Sequence, residues 1–176
     1  MKKPLLLTSF LLACIIAAAQ SRTVFHWKNT LIPQPVSVIA GEGSLKLPYY
    51  LFIIAPKNAE VKRMADNLAV TLSNTANDVK VKEGTIATPK SIFLSLTTDN
   101  TIPKEGYRLK VTTNGITIAA NEPAGIFYGI QTLLQLLPEE VEEHRVRKSP
   151  VNWFVPIITI EDHPRFGWRG LMLDVS

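Results

Sequence analysis

Hydrophobic and polar positions change period several times along this chain, and each change marks an element. Leu51-Phe52-Ile53-Ile54-Ala55 is a continuous apolar run ended by Pro56, the pattern of a short buried strand. Val61, Met64, Ala65, Leu68 and Leu72 then recur at helical spacing, which places them on one face of a helix. Asn58 stands where it can cap that helix, Glu60 complements its positive end, and residues 74–78 favour a turn that ends it. Ile92 to Leu96 reads as another strand. Tyr107, Leu109 and Val111 alternate with polar residues, Asn114-Gly115 offers a two-residue type I′ turn, and Ile116 and Ile118 resume the alternation. That is an antiparallel hairpin with one buried face. After Asn121 and Pro123 the helical period returns in Ile126, Phe127, Ile130, Leu133, Leu134 and Leu137, until Pro138 closes it. Trp153 to Ile160 is a last apolar strand. Near the start of the body, Pro33 and Pro35 hold their predecessors extended and Gly41-Glu42-Gly43 reads as a turn. These elements predict an α+β layer: a mixed or mostly antiparallel sheet with two helices on one face.

Composition bounds this picture. At 176 residues, 46% hydrophobic and 19% charged, the chain suits one modest domain with short extras. A complete (β/α)8 barrel, roughly 250 residues, does not fit. Lys2 and Lys3 precede an apolar stretch from Leu5 to Ala19, and Ala17-Ala18-Ala19 before Gln20 supplies small residues for cleavage. Residues 1–19 are therefore expected to be a signal peptide, since the stretch falls short of the ~20 residues that span a bilayer. The protein is accordingly expected in the periplasm or outside the cell. The alternative is an outer-membrane lipoprotein processed at Cys14, the only route to a membrane that the sequence offers; the apolar Ile15 to Ala19 beyond the cysteine argue against it. The chain has no second cysteine, so a packed core rather than a disulfide must hold the body together. Lys plus Arg number 19 against 15 Asp plus Glu, with no basic stripe and interleaved aromatics, so nucleic acid is not an expected partner.

Motifs for chemistry are sparse. His26, His144 and His163 are far apart, with no His-x-His or HExxH spacing, so no metal site is expected. Gly41 and Gly43 lack the lysine and helix of a phosphate loop, and no Gly-x-Ser-x-Gly elbow occurs. Glu139-Glu140 and Glu142-Glu143 sit in a charged linker, where nothing desolvates a carboxylate into acid/base service. No catalytic residue is expected up to Ile160, which points to an accessory module.

Three stretches together carry a family resemblance. Glu105-Gly106-Tyr107-Arg108-Leu109 leads the hairpin. Ala124-Gly125-Ile126-Phe127-Tyr128-Gly129-Ile130-Gln131-Thr132-Leu133-Leu134 forms the second helix, with Gly125 and Gly129 four apart so that another backbone can approach. Ile160-Glu161-Asp162-His163-Pro164-Arg165-Phe166-Gly167-Trp168-Arg169-Gly170-Leu171-Met172-Leu173-Asp174-Val175-Ser176 closes the chain. In this order they resemble the N-terminal accessory domain, and the entry to the catalytic barrel, of glycoside hydrolase family 20 β-N-acetylhexosaminidases. Family 84 glycosidases resemble the same domain, but the run after Arg169-Gly170 matches family 20. The resemblance implies residues 20–160 as the accessory domain and residues 161–176 as the truncated start of a (β/α)8 barrel, against which the domain packs.

The resemblance also implies an activity for the complete protein: removal of terminal N-acetylglucosamine or N-acetylgalactosamine from glycans, with retention and without any cofactor. The substrate's own acetamido oxygen is the nucleophile, and the family's Asp-Glu pair orients it and protonates the leaving oxygen. No position of this chain corresponds to that pair, so the chain alone is expected to be inactive. Arg169 matches the family's arginine that bonds hydroxyls of the terminal sugar, a role that suits a planar, permanently charged fork of donors. It is expected at the start of the first barrel strand, with Asp174 as a candidate partner and Trp168 as packing. The competing expectation is a non-catalytic glycan-binding or structural module.

Overall fold

A computed structural model describes residues 31–74, 77–138, 141, 152–170 and 172. The expected signal segment, Cys14, His26, His144, the Glu139 to Glu143 carboxylates, Leu171, Leu173 and Asp174 lie outside the described residues. The elements are β1 (Ser37–Lys46), β2 (Tyr50–Ala55), α1 (Ala59–Ser73), β3 (Asp78–Glu83), β4 (Ile92–Leu96), β5 (Tyr107–Thr112), β6 (Gly115–Ala120), α2 (Pro123–Leu136) and β7 (Phe154–Asp162). They build a seven-stranded sheet in the order β1-β7-β5-β6-β4-β2-β3. Pairing is antiparallel along β1-β7-β5-β6 and parallel along β6-β4-β2-β3, so the sheet is mixed.

Connections explain the division. A parallel pair needs a crossover, and α1 supplies one by carrying the chain from β2 to its parallel neighbour β3. Antiparallel β5 and β6 need only a tight turn. Helix α1 packs on β2 and β3, α2 packs on β4, β5 and β6, and the two helices touch, so both cover one face. Asn58 caps α1 as its position promised: its Oδ1 accepts from the N–H groups of Glu60 and Val61, each at 3.0 Å. Below it, Val61, Ala65, Leu68 and Leu72 are buried.

The alternating residues of the hairpin make the centre of the core. Leu109 and Val111 stand opposite Ile118 and Ile116, and Ile160 and Ile158 of β7 face them from the other side. All six are buried, and each such side chain stabilises the fold by about 1.5–3 kcal/mol relative to exposure.

Several local expectations are corrected. Gly41-Glu42-Gly43 does not reverse the chain; it forms a bulge inside β1, where the register to β7 shifts between Ala40 and Ser44 and Gly43 takes φ +84. The strand β3 was not anticipated from its charged Asp78-Val79-Lys80-Val81-Lys82-Glu83 sequence. The hairpin turn sits one residue earlier than Asn114-Gly115, because Thr112 pairs with Gly115 and leaves Thr113 and Asn114 as the loop. Neither loop residue has positive φ, so the turn is not type I′. Gly115 is needed for closeness instead: a Cβ there would stand 2.9 Å from the Ser91 carbonyl oxygen. Asn121 does not cap α2; Glu122 holds that position without a side-chain bond, while Asn121 Nδ2 donates to the carbonyls of Asp99 and Ile102. Phe127 is 43% exposed rather than in the core, because the face of α2 that meets the sheet is centred on Gly125, Gly129 and Leu133. Finally, β7 runs past Ile160 through Asp162.

Candidate functional site

The end of β7, the start of the body and α2 meet around a cleft of about 420 Å³. That falls in the ~300–1,000 Å³ range of small-molecule sites. Its floor is a buried polar contact between sheet and helix. The hydroxyls of Tyr107 and Thr132 lie 2.5 Å apart, and burial pushes the Tyr107 phenol up to about 12, against the lowering effect of the Thr132 bond.

One wall is the lead-in segment. Gln135 of α2 holds it with both ends of its amide: Nε2 donates to the Ile32 carbonyl at 3.1 Å and Oε1 accepts from the Ile32 N–H at 2.8 Å. Asp162, at the end of β7, accepts from the Val36 N–H at 3.1 Å and extends the same wall. The opposite wall is formed by His163, Pro164, Arg165 and Phe166.

Arg169 closes the rim. Its Nη2 donates to Glu105 Oε2 at 2.6 Å and to the Tyr128 hydroxyl at 3.3 Å, and its guanidinium carbon lies 5.5 Å from the Tyr128 ring centroid. The Arg169 side chain is 45% exposed and that of Glu105 31%, so the pair is reachable from solvent. Residues 163–170 are irregular, and Leu171 and Leu173 of the expected barrel strand lie outside the described residues. Trp168 is 85% exposed rather than packed. Glu105 and Tyr128 belong to the motifs read in the sequence, but nothing local gave them a role, because they meet Arg169 across 64 and 41 residues.

A second polar cluster lies on the sheet face away from the helices. Arg108 Nε donates to Glu161 Oε1 at 2.6 Å across β5 and β7, and Nη1 donates to Asp99 Oδ2 at 3.1 Å. The Asp99 carboxyl is held below its ordinary range first by the Thr101 hydroxyl and N–H and then by Arg108. This cluster ties down the loop before β5, and so the position of Glu105. Among the described residues no group of His, Cys, Asp and Glu gathers as a metal site.

Comparison with known proteins agrees with this architecture. The family model for glycosyl hydrolase family 20, domain 2, matches residues 28–163. A beta-hexosaminidase of Porphyromonas gingivalis is 34% identical over 167 residues, covering 94% of this chain and 21% of the relative. A beta-N-acetylhexosaminidase of Cellulomonas fimi is 30% identical over 153 residues, covering 83% of this chain and 28% of the relative. The solved structure of the GH20 beta-N-acetylhexosaminidase from Streptomyces coelicolor A3(2) superposes with TM-score 0.73 at 38% identity, over 84% of this chain and 29% of that one. This chain thus spans between a fifth and a third of the length of these relatives. The chain belongs to glycosyl hydrolase family 20, with the fold of that family's domain 2.

Proposed function

We propose that this chain is the accessory domain of an exported, exo-acting β-N-acetylhexosaminidase, and that Arg169 is the part of the sugar site which it carries. The observation behind this reading is the family-like ending around Arg169, whose guanidinium lies at the rim of an open cleft instead of in the core. A guanidinium offers a planar fork of donors to adjacent ring hydroxyls. Family kinship supports glycans ending in N-acetylglucosamine or N-acetylgalactosamine as the substrate class.

The chemistry that follows is substrate-assisted. The 2-acetamido oxygen attacks the anomeric carbon, the glycosidic bond breaks as the leaving oxygen gains a proton, and water then opens the cyclic intermediate with overall retention. The acid and the acetamide-orienting carboxylate match no position among these 176 residues, so residues 1–176 alone do not turn over substrate. Export rests on the leader-like residues 1–19, and packing against a catalytic barrel on the exposed Phe166, Trp168 and Met172.

Hydrolysis of the p-nitrophenyl β-glycoside of N-acetylglucosamine tests the reading. The protein as encoded releases p-nitrophenol, and purified residues 1–176 do not. Turnover by residues 1–176 would overturn the division of labour, and glycan binding without cleavage by the encoded protein would favour a non-catalytic module.

A further inference from the structure

We infer that Glu105 is a positioning residue for Arg169, held in an unfavourable backbone conformation for that purpose; this rests on the reading of Arg169 as a sugar-binding side chain. The backbone supplies the first observation. Pro103 to Gly106 form a turn closed by the bond from the Gly106 N–H to the Pro103 carbonyl, and Glu105 is its third residue with φ +59. That position ordinarily takes glycine or asparagine, and a glutamate gains nothing locally by being there. Glycine stands beside it at 106, where a Cβ would meet the Pro103 oxygen at 2.9 Å and the Asp162 oxygen at 3.2 Å. The turn is therefore fixed from both sides, and Glu105 is the residue it displays.

The side chain supplies the second. Glu105 Oε2 lies 2.6 Å from Arg169 Nη2, while the Tyr128 hydroxyl accepts from the same nitrogen and its ring lies under the guanidinium. Among the described residues both hydrogen bonds of Arg169 leave from Nη2. A carboxylate, a hydroxyl and an aromatic face acting on one guanidinium fix its rotation as well as its place. An exposed ion pair kept only for stability would need neither the strained turn nor the ring. Arg108, with its bonds to Asp99, Glu161 and Thr101, anchors the loop that ends in this turn.

The test is the guanidinium nitrogen–proton spectrum of arginine-labelled 1–176, with Arg169 assigned through Arg169→Lys. Glu105→Gly removes the carboxylate and relieves the turn, so the fold survives. The Arg169 Nη protons are expected to exchange with solvent about tenfold more slowly in the wild type than in Glu105→Gly or Glu105→Gln, with partial return in Glu105→Asp. Equal exchange in wild type and Glu105→Gly would overturn the inference. No sugar is present, so this result is independent of the sugar-binding reading, which Arg169→Lys tests by hydrolysis. In the hydrolysing protein as encoded, Glu105→Gln raises KM about tenfold with kcat within about twofold. An unchanged KM would also overturn the inference.

Discussion

The carbonyl oxygen of Gly106, in the turn before β5, occupies the space where a Cβ of residue 125 on α2 would stand. Helix and turn therefore meet backbone to backbone, and this contact sets how far the rim residues Glu105 and Tyr128 lie from each other. Gly125→Ala forces the helix and turn apart and is expected to destabilise the fold by at least about 1–3 kcal/mol, read as a lower urea midpoint at unchanged slope.

The Tyr107–Thr132 contact carries a pH signature. The phenol ordinarily ionises at 10.0 but is raised to about 12 in the folded protein, so between those values the folded state holds the proton that the unfolded state has lost. Stability is consequently unaffected below about pH 10 and falls by about 2–3 kcal/mol as pH rises through that window. Tyr107→Phe removes the slope and, by leaving the Thr132 hydroxyl unpaired, costs about 1–2 kcal/mol at neutral pH. Urea titrations at a series of alkaline pH values check both.

Asn58 satisfies two free N–H groups at the start of α1. Asn58→Ala is expected to lower stability by about 1 kcal/mol, whereas Lys62→Ala, which removes only an exposed i,i+4 ion pair, stays within about 0.5 kcal/mol. Thermal denaturation of the two variants side by side separates a cap from a surface pair.

Gln135 joins the lead-in segment to α2 through two bonds to one residue, Ile32. Gln135→Ala leaves both backbone groups of Ile32 to water and is expected to raise amide exchange over residues 31–36 about tenfold, with exchange in β5 and β6 unchanged.

Much of this fold was legible in the sequence wherever burial is periodic. Val61 to Leu72 and Ile126 to Leu133 fall on single helical faces because a helix on a sheet buries one stripe, and Leu109, Val111, Ile116 and Ile118 alternate because one face of the hairpin meets α2. Legibility ended where tertiary pairing decides. Asp78 to Glu83 reads as polar chain, yet β2 recruits it as a parallel edge strand, with Val79 and Val81 packed on the core and Lys80 and Lys82 in solvent. Gly41 and Gly43 read as a turn because their bulge exists only against β7. Arg169 stood out through its motif, but Glu105 and Tyr128 joined it only once β5, α2 and the end of β7 were assembled.

The most direct measurement is the hydrolysis of p-nitrophenyl N-acetyl-β-glucosaminide by the protein as encoded, with and without Arg169→Lys. Lysine keeps the charge but not the planar fork, so kcat/KM is expected to fall about a hundredfold while the thermal midpoint holds. Hydrolysis at the wild-type rate by Arg169→Lys would contradict the assignment of Arg169 to the sugar, and an inactive wild-type protein would contradict the hexosaminidase account itself.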